Sequence, residues 1–533
     1  MPASNSSHVR PWWESGVIYQ IYPRSFQDSN GDGIGDLEGI RRRLDYVRSL
    51  GVDAIWLSPI FPSPMVDFGY DVSDYRGVEP MFGDLSQFDN LIDETHESGL
   101  KLLLDFVPNH SSDQHPWFIE SRSSRNNPKR DWYVWRDPAP AGGPPNNWTS
   151  DMGGSSWEYD LVTKQYYLHT FLREQPDLNW RNPDVRAAMD DILRFWLDRG
   201  VDGFRIDVLW HCIKHPDLLD NPPNPDFRPE LGEKFKVLQH HSANQPEVHE
   251  VAASFRRLAD KYGERLLVGE ICLPVPSLVE YYGTPEAPGV HLPFNFQLLD
   301  APWDAEPLAR IITDYEAALP AGGWPNWVIG SHDAPRIAGR LGEPQARVAA
   351  MLLLTLRGTP TLYQGDELGI GQVNIPADRI RDTQDLRQPG LGLGRDGSRT
   401  PMPWDESPRA GFSTAEPWLP LNEDWPTRNV AHQEADPGSM LRLHRALLSL
   451  RRAYGALSIG DLQVQSSPRG VLVYERAHEG QRIMIALNLT ANPQLLELPA
   501  GELLLSTLPH RHYVGELAAD EGIVLLLGEP PSA

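Results

Sequence analysis

From about residue 16 onward the chain alternates short apolar runs with helical patterns, and this rhythm restricts its fold more than any other feature. GVIYQIYP, VDAIWLSP and KLLLDFVPN read as strands, brief and rich in β-branched, aromatic and leucine residues. Between them, LEGIRRRLDYVRSLG and LSQFDNLIDETHESGL carry apolar residues at helical spacing and run into Gly. The order βαβαβ calls for a parallel sheet, because each strand returns across the sheet through a helix. The alternation later resumes with the helix VRAAMDDILRFWLDRG and strands ending at Asp207, Glu270, Phe296, Asp333 and Gly365. Eight strands is the count of a closed (β/α)8 TIM barrel, an α/β fold.

The rhythm breaks in two places. Residues 110–177 are rich in Pro, Asn, Gly and Trp and hold only short strand-like pieces such as QYYLHTF, as expected of a functional insertion after strand three. A second irregular stretch covers 371–435. Beyond the helix SMLRLHRALLSLRRAYG the pattern turns to short alternating strands, VLVYER, RIMIALNL, ELLLST and GIVLLLG, which predict a C-terminal antiparallel β-sandwich. The expected division is a barrel over 1–109 and 178–456, an inserted domain over 110–177 and a sandwich over 457–533.

A net charge of −25 over 533 residues repels phosphate backbones and anionic lipid, so neither nucleic acid nor a membrane is expected as a partner. Two cysteines, Cys212 and Cys272, make no disulfide framework and read as buried free thiols. MPASNSSHVRPWW lacks the apolar core of a signal peptide, and no stretch approaches a membrane span. A soluble, cytoplasmic protein, monomeric or a small homo-oligomer, is the expectation.

Three acids close three of the predicted strands: Asp207 in VDGFRIDV, Glu270 in RLLVGEI and Asp333 in WVIGSHD. A barrel of this type keeps its active site at the C-terminal ends of its strands. Three acids there offer a nucleophile, a proton donor and a stabiliser of a developing cation, the set that glycosidic-bond chemistry needs. Arg205 lies on the face of Asp207 and is expected to keep that acid ionised, whereas the apolar run before Glu270 is expected to raise its pKa toward that of a general acid. His332 precedes Asp333. DFVPNH places His110 at the barrel mouth, and DFGYD offers Asp67 and Tyr70 after strand two. In DSNGDGIGD, the side chains of Asp28, Asn30, Asp32 and Asp36 and the carbonyl of Ile34 form an oxygen-rich series suited to Ca²⁺ or Mg²⁺. The twelfth position of that loop is Gly39, so it is not an EF-hand.

GFRID, VGEI, the HD pair, DFVPNH, QPDLNW (175–180) and RTPMPW (399–404), in this order, resemble glycoside hydrolase family 13, in particular its α-glucosidase and oligo-1,6-glucosidase branch. The resemblance runs from about Trp12 into the C-terminal sandwich. It implies a retaining exo-α-glucosidase acting on short oligosaccharides, with Asp207 as nucleophile, Glu270 as acid and base, and Asp333 gripping the 2- and 3-hydroxyls. It further implies that Arg205, His110 and His332 line the glucose subsite and that Tyr70 stacks on the ring. Phe171 would form a wall, an Asp67–Arg399 ion pair would close the pocket, and the DSNGDGIGD loop would hold a structural Ca²⁺ or Mg²⁺. Val208, after the nucleophile, accompanies α-1,6 specificity in the family, where Thr or Ala accompanies α-1,4. Ser331 stands where many relatives carry Asn. Sucrose isomerase, trehalose synthase and glucosyltransferase are the family's alternative activities.

Overall fold

The first strand of the structure, a computed structural model describing residues 10–465 and 469–528, is Ile18–Ile21. Ala54–Leu57, Lys101–Phe106, Gly203–Ile206, Leu266–Glu270, Leu292–Phe294, Asn326–Val328 and Thr359–Tyr363 follow, and together they form an eight-stranded parallel sheet. The last strand pairs with the first, and an isolated parallel bridge between Asn295 and Trp327 joins the sixth to the seventh, so the sheet curves into a barrel.

Side-chain alternation sorts these strands into two cores. Ile18, Ala54, Leu103, Leu266, Val268, Leu292 and Val328 share the inner cluster, whereas Tyr19, Ile55, Leu102, Leu104 and Leu267 belong to the outer cluster with the helices. Arg205 and Glu270 continue the inward parity at the C-terminal ends, as do Gln20, Trp56 and Asp105. The barrel interior is therefore apolar below and polar on top. Gly203 has a close neighbour that explains it: a Cβ there would lie 2.0 Å from the Leu266 carbonyl oxygen on the adjoining strand.

Several helices match the periodicity, among them Leu85–Glu97, Pro183–Asp198 and Met440–Ala453. The first predicted helix is instead split into Leu37–Arg42 and Leu44–Leu50, because Arg43 leaves the helical region at φ −107°, ψ 8°. The seventh strand stops at Val328, so Asp333 lies in the loop beyond it and not at a strand tip. The insertion holds a three-stranded antiparallel sheet of Trp135–Arg136, Gln165–Leu168 and Trp157–Asp160. An antiparallel bridge between His110 and Asp177 ties together its two ends.

C-terminal to the barrel, Asp461–Gln465, Val471–His478, Gln481–Asn488, Gly522–Leu527 and Gly501–Ser506 form a five-stranded antiparallel sheet. One face shares a core with Leu517 of a small sheet, Gln494–Leu495 with Glu516–Leu517, and with the adjoining Leu496. The opposite parity, including Leu472, Tyr474, Ile483 and Ile485, joins the large core shared with the barrel helices. No helix among the described residues is long and apolar enough to cross a membrane.

Candidate active site

A cavity of about 550 Å³ opens at the C-terminal end of the barrel. Asp67, Tyr70, His110, Phe171, Arg205, Asp207, Val208, Glu270, His332 and Asp333 all line it. Its floor is organised by Arg205. One guanidinium nitrogen donates to Asp207 Oδ1 (2.7 Å) and Asp105 Oδ1 (2.8 Å), and the other donates to Glu270 Oε2 (2.7 Å). The last residue of strand four is Ile206, so the chain turns at once after Asp207. Val208 takes φ 36°, ψ 44°, a left-handed conformation costly for a β-branched residue, and its N–H donates to Glu270 Oε2 at 2.8 Å.

Three carboxyls around one cation cannot all be ionised cheaply away from water. Burial raises Asp105 to about 6 against the pull of Arg205. Burial also raises Asp207 and Glu270, and each is pushed further by the surrounding acids. The expected direction holds for Glu270 and fails for Asp207, because in this closed floor burial outweighs the neighbouring Arg205. Burial and mutual repulsion thus favour a shared proton on the group, the direction acid catalysis requires.

Asp333 differs. Burial pushes its carboxyl up, but His332, Arg399 and Arg395 overcome that and hold it well below the usual carboxylate range. Arg399 and Arg395 donate to Oδ1 at 2.7 and 3.2 Å, and His332 Nε2 stands 2.9 Å from Oδ2. Gln20 donates to His332 Nδ1 at 2.7 Å, so the imidazole proton sits on Nε2, facing Asp333 and the Tyr70 hydroxyl at 2.8 Å. Burial lowers the His332 pKa to about 4, which leaves the ring neutral near pH 7.

The sequence-based pairing of Asp67 with Arg399 is corrected. Asp67 pairs with Arg395 at 3.0 Å, while Arg399 is buried, donates to the His332 carbonyl (2.9 Å) and does not line the cavity. A short 3₁₀ turn, Asp396–Ser398, separates the two arginines. Asp382 fixes the outer one by accepting from the Arg395 N–H (2.7 Å), Nε (3.0 Å) and a terminal nitrogen (2.7 Å). RTPMPW marks the inner arginine; no motif marks Arg395 or Asp382. Asp105 is written in the inward parity of LLLDF, and its partner Tyr70 donates to it at 3.1 Å.

QPDLNW acts at the foot of the insertion. Gln175 donates to Asp67 Oδ2 at 3.1 Å, and Asp177 accepts from the Thr170 N–H (2.9 Å) and pairs with Lys214. Lys214 also donates to Asn109 (2.7 Å), beside His110, whose Nε2 is 3.1 Å from the Tyr70 carbonyl. His110 packs on Phe171 with ring centroids 5.2 Å apart. Cys212 is buried as expected, whereas Cys272 is exposed and lines the cavity, because it lies beyond the end of strand five.

In the oxygen-rich loop, Asp28 accepts from the N–H groups of Asn30 (2.9 Å), Gly31 (2.7 Å) and Gly33 (2.8 Å) and from Ser413 Oγ (2.5 Å). Asn30 accepts from Asp32 (3.0 Å), Asp32 from Ile34 (2.8 Å), and Asp36 from Ser29 (2.9 Å) and Gly39 (2.7 Å). Among the described residues no three Asp, Glu, His or Cys gather as a metal cluster.

Residues 20–460 match the family described as "Alpha amylase, catalytic domain", and residues 462–511 match "Maltogenic Amylase, C-terminal domain". A probable alpha-glucosidase of Rhizobium meliloti is 43% identical over 93% of this chain and 92% of the relative. The oligo-1,6-glucosidase of Parageobacillus thermoglucosidasius is 38% identical, with 92% of each chain covered. The crystal structure of an alpha-glucosyl transfer enzyme aligns with a TM-score of 0.92 and 42% identity, covering 97% of this chain and all of that one. With its family match spanning most of the sequence and its catalytic floor assembled from the motifs, the chain is a member of the α-amylase family of glycoside hydrolases, family 13.

Proposed function

We propose that the protein is a retaining, exo-acting α-glucosidase that removes terminal glucosyl units from short oligosaccharides, with α-1,6 bonds favoured over α-1,4. The observation that carries this reading is the shared guanidinium of Arg205, which ties Asp207 and Glu270 to one point of the cavity floor. Glu270 protonates the glycosidic oxygen while Asp207 attacks the anomeric carbon, giving a glucosyl ester and a free sugar. Glu270 then takes a proton from water, which displaces Asp207. Ionised Asp333 grips the 2- and 3-hydroxyls, held in place by His332, Arg395 and Arg399. Asp67 and Arg395 close the non-reducing end, which favours a single glucose beyond the cleavage point. His110, Tyr70 and Phe171 complete that wall.

Proton NMR during hydrolysis of 4-nitrophenyl α-glucoside, which yields one glucose per cleavage, tests the chemistry: the first glucose released carries the α configuration. Asp207→Ala folds but loses roughly 10⁴-fold or more in kcat. Initial β-glucose, or turnover by Asp207→Ala close to wild type, overturns the assignment.

The loop of Asp28, Asn30, Asp32, Ile34 and Asp36 fits a hard cation by its all-oxygen donor set, and the bonded oxygens of Asn30, Asp32 and Asp36 each accept one hydrogen bond and keep a lone pair, whereas both Asp28 oxygens already accept two. Ca²⁺ or Mg²⁺ bound there supplies charge neutralisation to a turn, with no part in bond cleavage. Adding millimolar Ca²⁺ or Mg²⁺ to chelated protein is expected to raise the unfolding temperature by a few degrees, about 1–2 kcal/mol by linkage. An identical melting curve with and without both ions rejects the site.

A further inference from the structure

A second cavity, of about 290 Å³, lies where the barrel meets the C-terminal sheet, and it shares no lining residue with the active site. The helix Glu343–Thr355 contributes Arg347, and the helix Met440–Ala453 contributes Arg442 and the apolar Leu443. Across from them stand Leu505 of the strand Gly501–Ser506 and, in the loop after it, His510 and Arg511. Three arginines and a histidine around one opening stand out in a chain of net charge −25.

The acids of the surrounding elements are committed elsewhere. Glu343 pairs with Arg428 (2.7 Å), Glu434 with Arg445 (2.7 Å) and Glu521 with Arg511 (3.2 Å), while Asp436 accepts from the Gly438 N–H (2.8 Å). Arg347 Nε donates to the Thr507 carbonyl (2.8 Å), and Arg442 reaches the Glu434 carbonyl through Nε (3.1 Å) and one terminal nitrogen. Neither forms an ion pair among the described residues. Both terminal nitrogens of Arg347 and one of Arg442 therefore remain for a ligand. Burial holds the Arg347 guanidinium below its usual range, which Glu343 and Asp436 only partly offset. The nearby helix end adds little, because the Leu441 N–H donates to Gln433 Oε1 (3.0 Å) and the Arg442 N–H to Ser439 Oγ (3.2 Å). Recognition falls to the guanidinium groups.

We propose that this cavity binds a small organic phosphate, its phosphoryl oxygens held by Arg347 and Arg442 and its apolar body lying on Leu443 and Leu505. A carboxylate fills one guanidinium fork with its two oxygens, whereas a phosphate monoester has the oxygens and the charge for two. The volume is near the lower end for small-molecule sites, and the apolar side chains give room for more than a bare ion. A ligand here joins two barrel helices to the C-terminal sheet, and the site is independent of the glucosidase reading.

Calorimetric titration of the full-length protein with phenyl phosphate and with inorganic phosphate tests this. Phenyl phosphate is expected to bind at one site per chain, about ten-fold tighter than inorganic phosphate. Arg442→Gln and Arg347→Gln are each expected to weaken it about ten-fold, the scale of one charge-assisted hydrogen bond. Arg442 is exposed, so its variant decides the matter even where Arg347→Gln fails to fold. Arg452→Gln makes the same charge change on the same helix but outside the cavity, and it is expected to leave binding unchanged. No binding of phenyl phosphate, equal affinity for the two probes, or binding unmoved by Arg442→Gln overturns the proposal. Equal weakening by Arg452→Gln does so as well, since general charge would then account for the attraction.

Discussion

The floor and the outer vestibule of the active-site cavity are built by opposite means. The floor hangs on rigid strands: Arg205 and Glu270 belong to strands four and five, and Asp105 to strand three. Its order comes from charge, with one guanidinium shared among three acids. The vestibule, lined by Met152, Leu231, Phe235 and Leu393, hangs on loops that hold one another through Gln388, Glu233 and Gly154. Arg395 stands at their junction, a loop residue whose guanidinium reaches into the floor. Precision sits where barrel geometry fixes the backbone, and substrate range sits where loops can change.

Arg395→Ala tests this division most severely. Asp67 loses its cationic partner, Asp382 loses three bonds, and Asp333 keeps only Arg399 and His332. Breaking a buried ion pair by removing one partner costs about 3–5 kcal/mol. With that interaction strengthened in the transition state, kcat/KM for a disaccharide is expected to fall on the order of 100-fold, with a smaller loss for longer chains that fit an opened end. Equal losses for disaccharide and longer chains would show that Arg395 does not close the pocket.

Buried titratable groups of the barrel and the insertion also set the pH response. His110, His169, His211 and His332 are each lowered by burial to about 4, so the folded protein keeps them neutral while the unfolded chain protonates them near pH 6.5. Their contribution to stability is full above the unfolded pKa and is lost as pH falls from about 6.5 toward 4, at up to about 1.4 kcal/mol per group and pH unit. Asp105 opposes this: its raised folded pKa favours the native state at acid pH and loses that advantage as pH rises through about 6. Urea midpoints between pH 7 and 4.5 should therefore decline, and a flat profile would contradict four buried neutral imidazoles.

The floor was largely legible in sequence because barrel strands impose a period of two. Arg205 and Asp207 share parity in GFRID, and Asp105 occupies the inward position of its own run. What escaped lies where no period operates. Arg395 sits in LGLGRDGSRT, and only the fold shows that Asp382 turns it toward Asp67. Asp333 stands out in sequence as an acid closing an apolar run, yet its strand ends at Val328, since the apolar run WVIG continues past the last ladder pairing with strand eight. Leu231 and Phe235 come from PPNPDFRPELGEKFK, which carries neither strand alternation nor a helical stripe.

Val208 lies at the seam between the two regions, and the smallest substitution probes it. Its left-handed backbone aims an N–H at Glu270, while its side chain faces the cavity where an acceptor would begin. Val208→Thr preserves the β-branched shape, so the N–H contact and the carboxyl spacing are expected to persist. The change adds a hydroxyl able to bond an acceptor sugar, which an isopropyl group cannot do. The ratio of kcat/KM for isomaltose over maltose is expected to fall about three- to ten-fold, the scale of one modest hydrogen bond. Both substrates should retain the same pH profile, since Glu270 keeps its backbone donor. A shifted pH profile with an unchanged linkage ratio would move Val208 from the acceptor side to the support of the acid, and the preference for α-1,6 bonds would then have to reside in the vestibule loops.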